Sequence, residues 1–115
     1  MTTALERAVE PDEIVDALRP FGVSQRDVAA ATYVSDRAVR AWKTAGIHAA
    51  SYDRLQDLRE IVLVLSDSLT ARGVGQWLRA RNRLLAGARP IDLLAEGRVD
   101  EVRQAAHSFV DGAYV

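Results

Sequence analysis

Apolar residues recur along the chain at helical spacing, and helix signals dominate from residue 11 onward. Ile14, Val15 and Leu18 share one face of a short segment, with Pro11 suited to a first helical turn. Pro20 and Gly22 break that pattern. Ser24 then reads as an N-cap, and Asp27 three positions on completes a capping box with a shorter acid than usual. The helix this predicts covers about Gln25 to Thr32. Ser35 is a second N-cap, with Asp36 favourably placed for the helix dipole, and this helix runs to about Thr44 and stops at Gly46.

Ser51 looks like the next N-cap. Leu55, Leu58, Ile61, Val62, Leu65 and Leu69 follow as one broad stripe, which predicts a helix of four or five turns ending before Gly73. Its polar side carries Asp57, Arg59 and Glu60. The stripe suits a core, and equally a dimer contact. Beyond Gly75 the elements shorten: a helical turn or two over Gln76 to Ala80, then a loop with two leucines over Asn82 to Arg89. Pro90 starts a short helix over Ile91 to Glu96, stopped by Gly97. A last helix begins at Asp100, carries Val102, Ala106, Phe109 and Val110 on one side, and ends at Gly112. No strand pattern and no repeat is visible. The pattern is that of an all-α chain, with a boundary where glycine and small residues cluster at 46–51: an N-terminal unit over residues 1–48 and a helical unit over 49–115.

Gln25 to Trp42 has the spacing of two short helices crossing steeply. Ala29 is small enough for the crossing, Val28, Val34, Val39 and Trp42 face inward, and Ser35 caps the second helix. Asp36, Arg37, Arg40 and Lys43 then face outward. Arg37 has the fork that matches a guanine edge, Arg40 and Lys43 suit phosphate, and Gln25 and Arg26 stand at a helix start that favours an anion. This resembles the helix-turn-helix of the Xre/Cro repressors. One departure is Tyr33, which occupies the turn position where glycine is usual. A left-handed conformation there costs a non-glycine residue about 1–2 kcal/mol.

Composition narrows the choices. Of 115 residues, 49% are hydrophobic and 27% charged, ordinary for a folded soluble domain. The chain contains no cysteine, which excludes disulfides, thiolate metal sites and thiol catalysis and fits a reducing cytoplasm. No apolar run approaches the length of a membrane span, and Met1 to Glu10 has no signal-peptide core. The formal net charge is −1, yet two zones are basic: residues 35–50, with Arg37, Arg40 and Lys43 against Asp36, and residues 72–89, with Arg72, Arg79, Arg81, Arg83, Arg89 and no acid. Such zones meet phosphate, meet an acidic protein surface, or are simply solvated. His48 and His107 are isolated, Ser24, Ser35 and Ser51 sit at helix starts, and no phosphate loop is present. These features predict neither an enzyme nor a metal or cofactor site.

The second half carries an ordered set: Trp77-Leu78, Asn82, Leu85, Gly87, Pro90, Leu94, Gly97, Val102 and Gly112. Behind a helix-turn-helix, this set resembles the Xre–MbcA–ParS antitoxins, and the resemblance spans about residues 12 to 115. It implies an antitoxin whose partner is a RES-domain toxin, an enzyme that degrades NAD. It also implies that the C-terminal end blocks the toxin's active site, and that a homodimer binds operator DNA and represses its own operon. Carried over, the plug is Gly112, Ala113, Tyr114 and Val115: Gly112 releases the chain from the helix, Tyr114 is aromatic with a polar tip, and the Val115 carboxylate suits cations that hold a phosphate-bearing substrate. Trp77, Arg79, Arg81, Asn82 and Arg83 are further toxin-facing candidates, although Trp77 also suits a core and Asn82 suits a bond to loop backbone. The competing reading is a stand-alone Xre-like regulator whose second half dimerises.

Overall fold

The computed structural model describes residues 3–112. Among these residues the chain is all-helical: α1 (Thr3–Arg7), α2 (Pro11–Leu18), a 3₁₀ turn (Arg19–Phe21), α3 (Gln25–Thr32), α4 (Asp36–Ala45), α5 (Ala49–Leu65), α6 (Ala71–Arg79), a second 3₁₀ turn (Arg83–Leu85), α7 (Pro90–Ala95) and α8 (Val99–Asp111). None of these helices is long and apolar enough to cross a membrane.

The local signals in α3 and α4 act as their chemistry requires. Ser24 Oγ accepts from the Asp27 amide at 3.1 Å, and the Asp27 carboxylate accepts from the Ser24 amide at 2.8 Å. Ser35 Oγ accepts from the Ala38 amide at 3.1 Å, and Gly46 closes α4. Tyr33 joins the two helices in the left-handed region, φ 58° and ψ 47°, so the strain foreseen for this turn is present.

One hydrophobic core runs from Leu5 to Ala106 and crosses the 46–51 connection without interruption. The central helix α5 buries Leu55, Leu58, Ile61, Val62 and Leu65 against α2 and α3 on one side and α8 on another, while α3 packs along α7. The leucine stripe is therefore consumed inside the chain. The polar residues of α5 hold the ends of other helices. Arg59 donates to the carbonyls of Leu5 and Ala8 at the end of α1, and Tyr52 donates to the Val9 carbonyl at 2.8 Å. Arg54 donates to the Ala95 carbonyl at 3.1 Å, completing the C-terminus of α7. Arg103 on α8 reaches back to Glu60 at 3.0 Å and Asp57 at 3.3 Å. Burial pushes the Asp57 carboxyl up, and Arg103 opposes that shift.

Three sequence expectations need correction. The long helix starts at Ala49, with His48 in the N-cap position and Ser51 inside the first turn. It ends at Leu65, so Leu69 lies in the turn beyond it. The segment expected as a turn or two from Gln76 is a helix from Ala71, capped by Thr70 Oγ, which accepts from the Gly73 amide at 3.1 Å. Gly73 and Gly75 each weaken a helix by about 1 kcal/mol relative to alanine, which hides α6 from a propensity reading. Gly75 is needed for another reason: a Cβ there would lie 2.2 Å from the Gly22 carbonyl oxygen. The backbone of α6 rests directly on the turn that leads into α3.

Replacing Gly75 by alanine therefore lowers stability by about 2 kcal/mol, because the clash outweighs the propensity gain. Chemical denaturation measures it. Gly73→Ala, whose new methyl meets the Thr70 hydroxyl at 3.0 Å, is the milder change.

Candidate functional site

Two surfaces gather the residues singled out in the sequence. The first is the outer face of α3 and α4. Arg26, Arg37, Arg40 and Lys43 are exposed, Gln25 is half-buried, and Ser35 is occupied as a cap. Asp36 has one carboxylate oxygen buried with no hydrogen-bond partner among the described residues. Tyr33 stands at the turn with 77% of its surface exposed.

The cations on this face differ from most others in the chain. Arg19, Arg79, Arg89, Arg98 and Arg103 pair with carboxylates. The guanidinium of Arg89 holds the Asp92 carboxyl below its ordinary range through a direct hydrogen bond, and Arg98 does the same to Glu101. Arg54, Arg59 and Arg81 donate to backbone carbonyls. Arg26, Arg37, Arg40 and Lys43 do neither among the described residues; Arg7, Arg72 and Arg83 are the remaining cations of that kind. The fold thus leaves a concentration of uncommitted positive charge on α3 and α4.

The second surface is a hollow of about 540 Å³ where α6, the Arg83–Leu85 turn and α8 meet, lined by Trp77, Arg81, Asn82, Arg83, Leu84 and Phe109. Trp77 and Phe109 pack with ring centroids 6.3 Å apart and planes tilted by 56°. Asn82 accepts from the Leu84 amide at 2.9 Å, the loop-backbone bond expected of it, and so shapes the turn. Arg81 donates to the Gly87 carbonyl at 3.2 Å. Leu84 is nearly half exposed, and Arg83 is free on the rim. Gly112 ends α8 one turn beyond Phe109, in the left-handed region at φ 70°. The plug residues Ala113, Tyr114 and Val115 lie outside the described residues. Sequence reading did not associate Phe109 or Leu84 with this site: Phe109 looked like core, and nothing local distinguishes Leu84 from Leu85.

Arg79 is placed apart from the hollow. It donates to the Asp27 carboxylate at 2.8 Å and to the Gly22 carbonyl at 2.7 Å, tying α6 to the capping box of α3. Its clustering with Arg81 and Arg83 in sequence does not carry into space. A larger apolar cleft of about 760 Å³ lies between α1, α2 and the start of α6 and holds none of the residues expected at a site. Among the described residues, no cluster of histidine, aspartate and glutamate is arranged to hold a metal ion.

No protein-family model matches the chain. It is, however, 66% identical over all 115 residues, and over the whole of the other chain, to a probable mycobacterial cidal antitoxin, Rv3188 of Mycobacterium tuberculosis H37Rv. The chain belongs to the Xre–MbcA–ParS family of antitoxins. Its fold is shared with a chain in the crystal structure of the M. tuberculosis MbcT–MbcA toxin–antitoxin complex, at a TM-score of 0.76 and 22% identity, covering 94% of this chain and all of that one. The chain is thus an antitoxin, a non-enzymatic regulatory protein.

In this antitoxin Arg79 is a brace between two helices, and its removal reads out as stability. Arg79→Ala should cost about 1 kcal/mol, and Asp27→Ala more, because the capping box is lost as well. A double-mutant cycle by urea unfolding should give a coupling energy of about 1 kcal/mol between them, reduced in high salt. Strictly additive losses would mean that the ion pair contributes nothing.

Proposed function

We propose that this antitoxin neutralises a RES-domain, NAD-degrading toxin in the cytoplasm by occluding its active site with the C-terminal tail, anchored by the adjacent hollow. The observation that carries this reading is the convergence of Trp77, Arg81, Asn82 and Arg83 on one aromatic, cation-rimmed depression beside Gly112, where the tail leaves α8. An apolar floor supplies buried area and a rim of arginines supplies orientation, the usual anatomy of a protein–protein anchor. Tyr114 is the residue that would meet the toxin, through an aromatic ring with a polar tip.

The same chain, as a homodimer, represses its own operon through residues 1–48, with α3 and α4 acting as a helix-turn-helix. Support comes from the uncommitted charge on Arg26, Arg37, Arg40 and Lys43, since neutralising phosphate is the largest contribution to DNA affinity. On α4, Arg37 reads base edges and Arg40 and Lys43 meet the backbone. A two-fold dimer presents two copies of α4 about one helical turn of DNA apart. Residues 49–115 form the toxin-binding unit.

Co-expression with a RES-domain toxin tests the first part. Deleting Tyr114 and Val115 should abolish rescue of growth while binding to upstream DNA persists. Arg83→Glu should weaken capture of the purified toxin by about tenfold, a change of about 1.4 kcal/mol. Full rescue by the truncated chain would contradict the plug. Arg37→Ala with Arg40→Ala should remove DNA binding and leave toxin capture intact.

A further inference from the structure

Two non-glycine residues among those described, Tyr33 and Ala86, hold the left-handed conformation, and of the two only Tyr33 carries a large side chain. It is held at φ 58°, a conformation that glycine adopts freely and a tyrosine does not. The residue is 77% exposed, and its hydroxyl has no partner among the described residues. The turn it occupies would form at least as well with glycine. A strained residue whose side chain does nothing for its own chain points outward for its use.

The surroundings indicate what that use is. Tyr33 is the turn residue between α3, which carries Arg26, and α4, which carries Arg37 and Arg40, and all three arginines are exposed and uncommitted among the described residues. Val34, next in the chain, is partly buried against the core, and the exposed large hydrophobics besides Tyr33 among the described residues, Val9 and Leu84, lie outside α3 and α4. A single exposed phenol at the turn joining two cation-bearing helices suits a polyanion whose oxygens accept hydrogen bonds better than a hydrophobic partner surface. We infer that Tyr33 donates its hydroxyl to a backbone phosphate of the operator, fixing the α3–α4 turn against the DNA. The inference rests on the DNA-binding reading above and adds a contact that the glycine usual at this position cannot make.

The contact has two distinguishing properties. A hydrogen bond from a neutral phenol adds affinity without releasing a counterion, so it leaves the salt dependence of binding unchanged, whereas losing a cation lowers the slope by about one. Stability and affinity also move in opposite directions on replacement by glycine, because strain is relieved while the contact is lost.

The experiment uses the full chain and duplex DNA from immediately upstream of its own coding sequence, with a scrambled duplex of equal length as reference. Tyr33→Phe and Tyr33→Gly are each expected to weaken binding by about tenfold with an unchanged salt slope. Tyr33→Gly should unfold at the same temperature as the unsubstituted chain or higher. Arg40→Ala should lower the salt slope. Tyr33 variants that bind as tightly as the unsubstituted chain, while Arg40→Ala weakens it, would overturn the Tyr33 contact alone. Loss with Tyr33→Gly but not with Tyr33→Phe would overturn the role of the hydroxyl. An unsubstituted chain that binds the upstream and scrambled duplexes equally weakly would overturn both the contact and the DNA-binding reading.

Discussion

The backbone of α6 lies directly on the backbone of the turn before α3, and the molecule is arranged around that contact. A hydrogen is the only side chain that fits at Gly75, because any Cβ would enter the Gly22 carbonyl. Once the two segments meet this closely, Arg79 is carried to the same turn. It grips both the Gly22 carbonyl and the Asp27 carboxylate that caps α3. Close approach of backbones thereby becomes a directed ionic contact, and the start of α3 is fixed relative to α6. The hollow formed by Trp77, Arg81 and Arg83 begins at the other side of the same helix.

This geometry links the two proposed activities. The face of α3 and α4 and the hollow at α6 and α8 belong to one packed body, joined by α3 against α7 and by α5 through the middle. Such a body presents both surfaces at a set angle. The charge distribution follows from the same division of labour. Arg54, Arg59, Arg79 and Arg103 join elements through carboxylates and carbonyls, while Arg26, Arg37, Arg40 and Lys43 on α3 and α4 make no such contact among the described residues.

Much of this was legible in the residues because several features are governed by neighbours three or four positions away. Ser24 with Asp27, Ser35, Gly46, Pro90, Gly97 and Gly112 mark helix ends through local backbone chemistry, and the observed ends follow them. What escaped depends on distant partners. The first helix is held by Arg59 and Tyr52, more than 40 positions away, and has no strong signal of its own. The helix around Gly73 and Gly75 exists despite poor propensity because of Gly22. Arg79 reads as surface until Asp27 is beside it, and the hollow appears only when Phe109 is brought to Trp77. The left-handed Tyr33 was readable as a conflict between residue and turn, and the conflict is realised.

Native-state hydrogen exchange followed residue by residue across a denaturant series probes the single packed body most directly. Core amides of α3, α5 and α7 should exchange through one global opening, with a common free energy and a common denaturant dependence. If α2 to α4 opened as a separate unit of lower energy while α5 to α8 stayed protected, the shared core would not bind the two surfaces together.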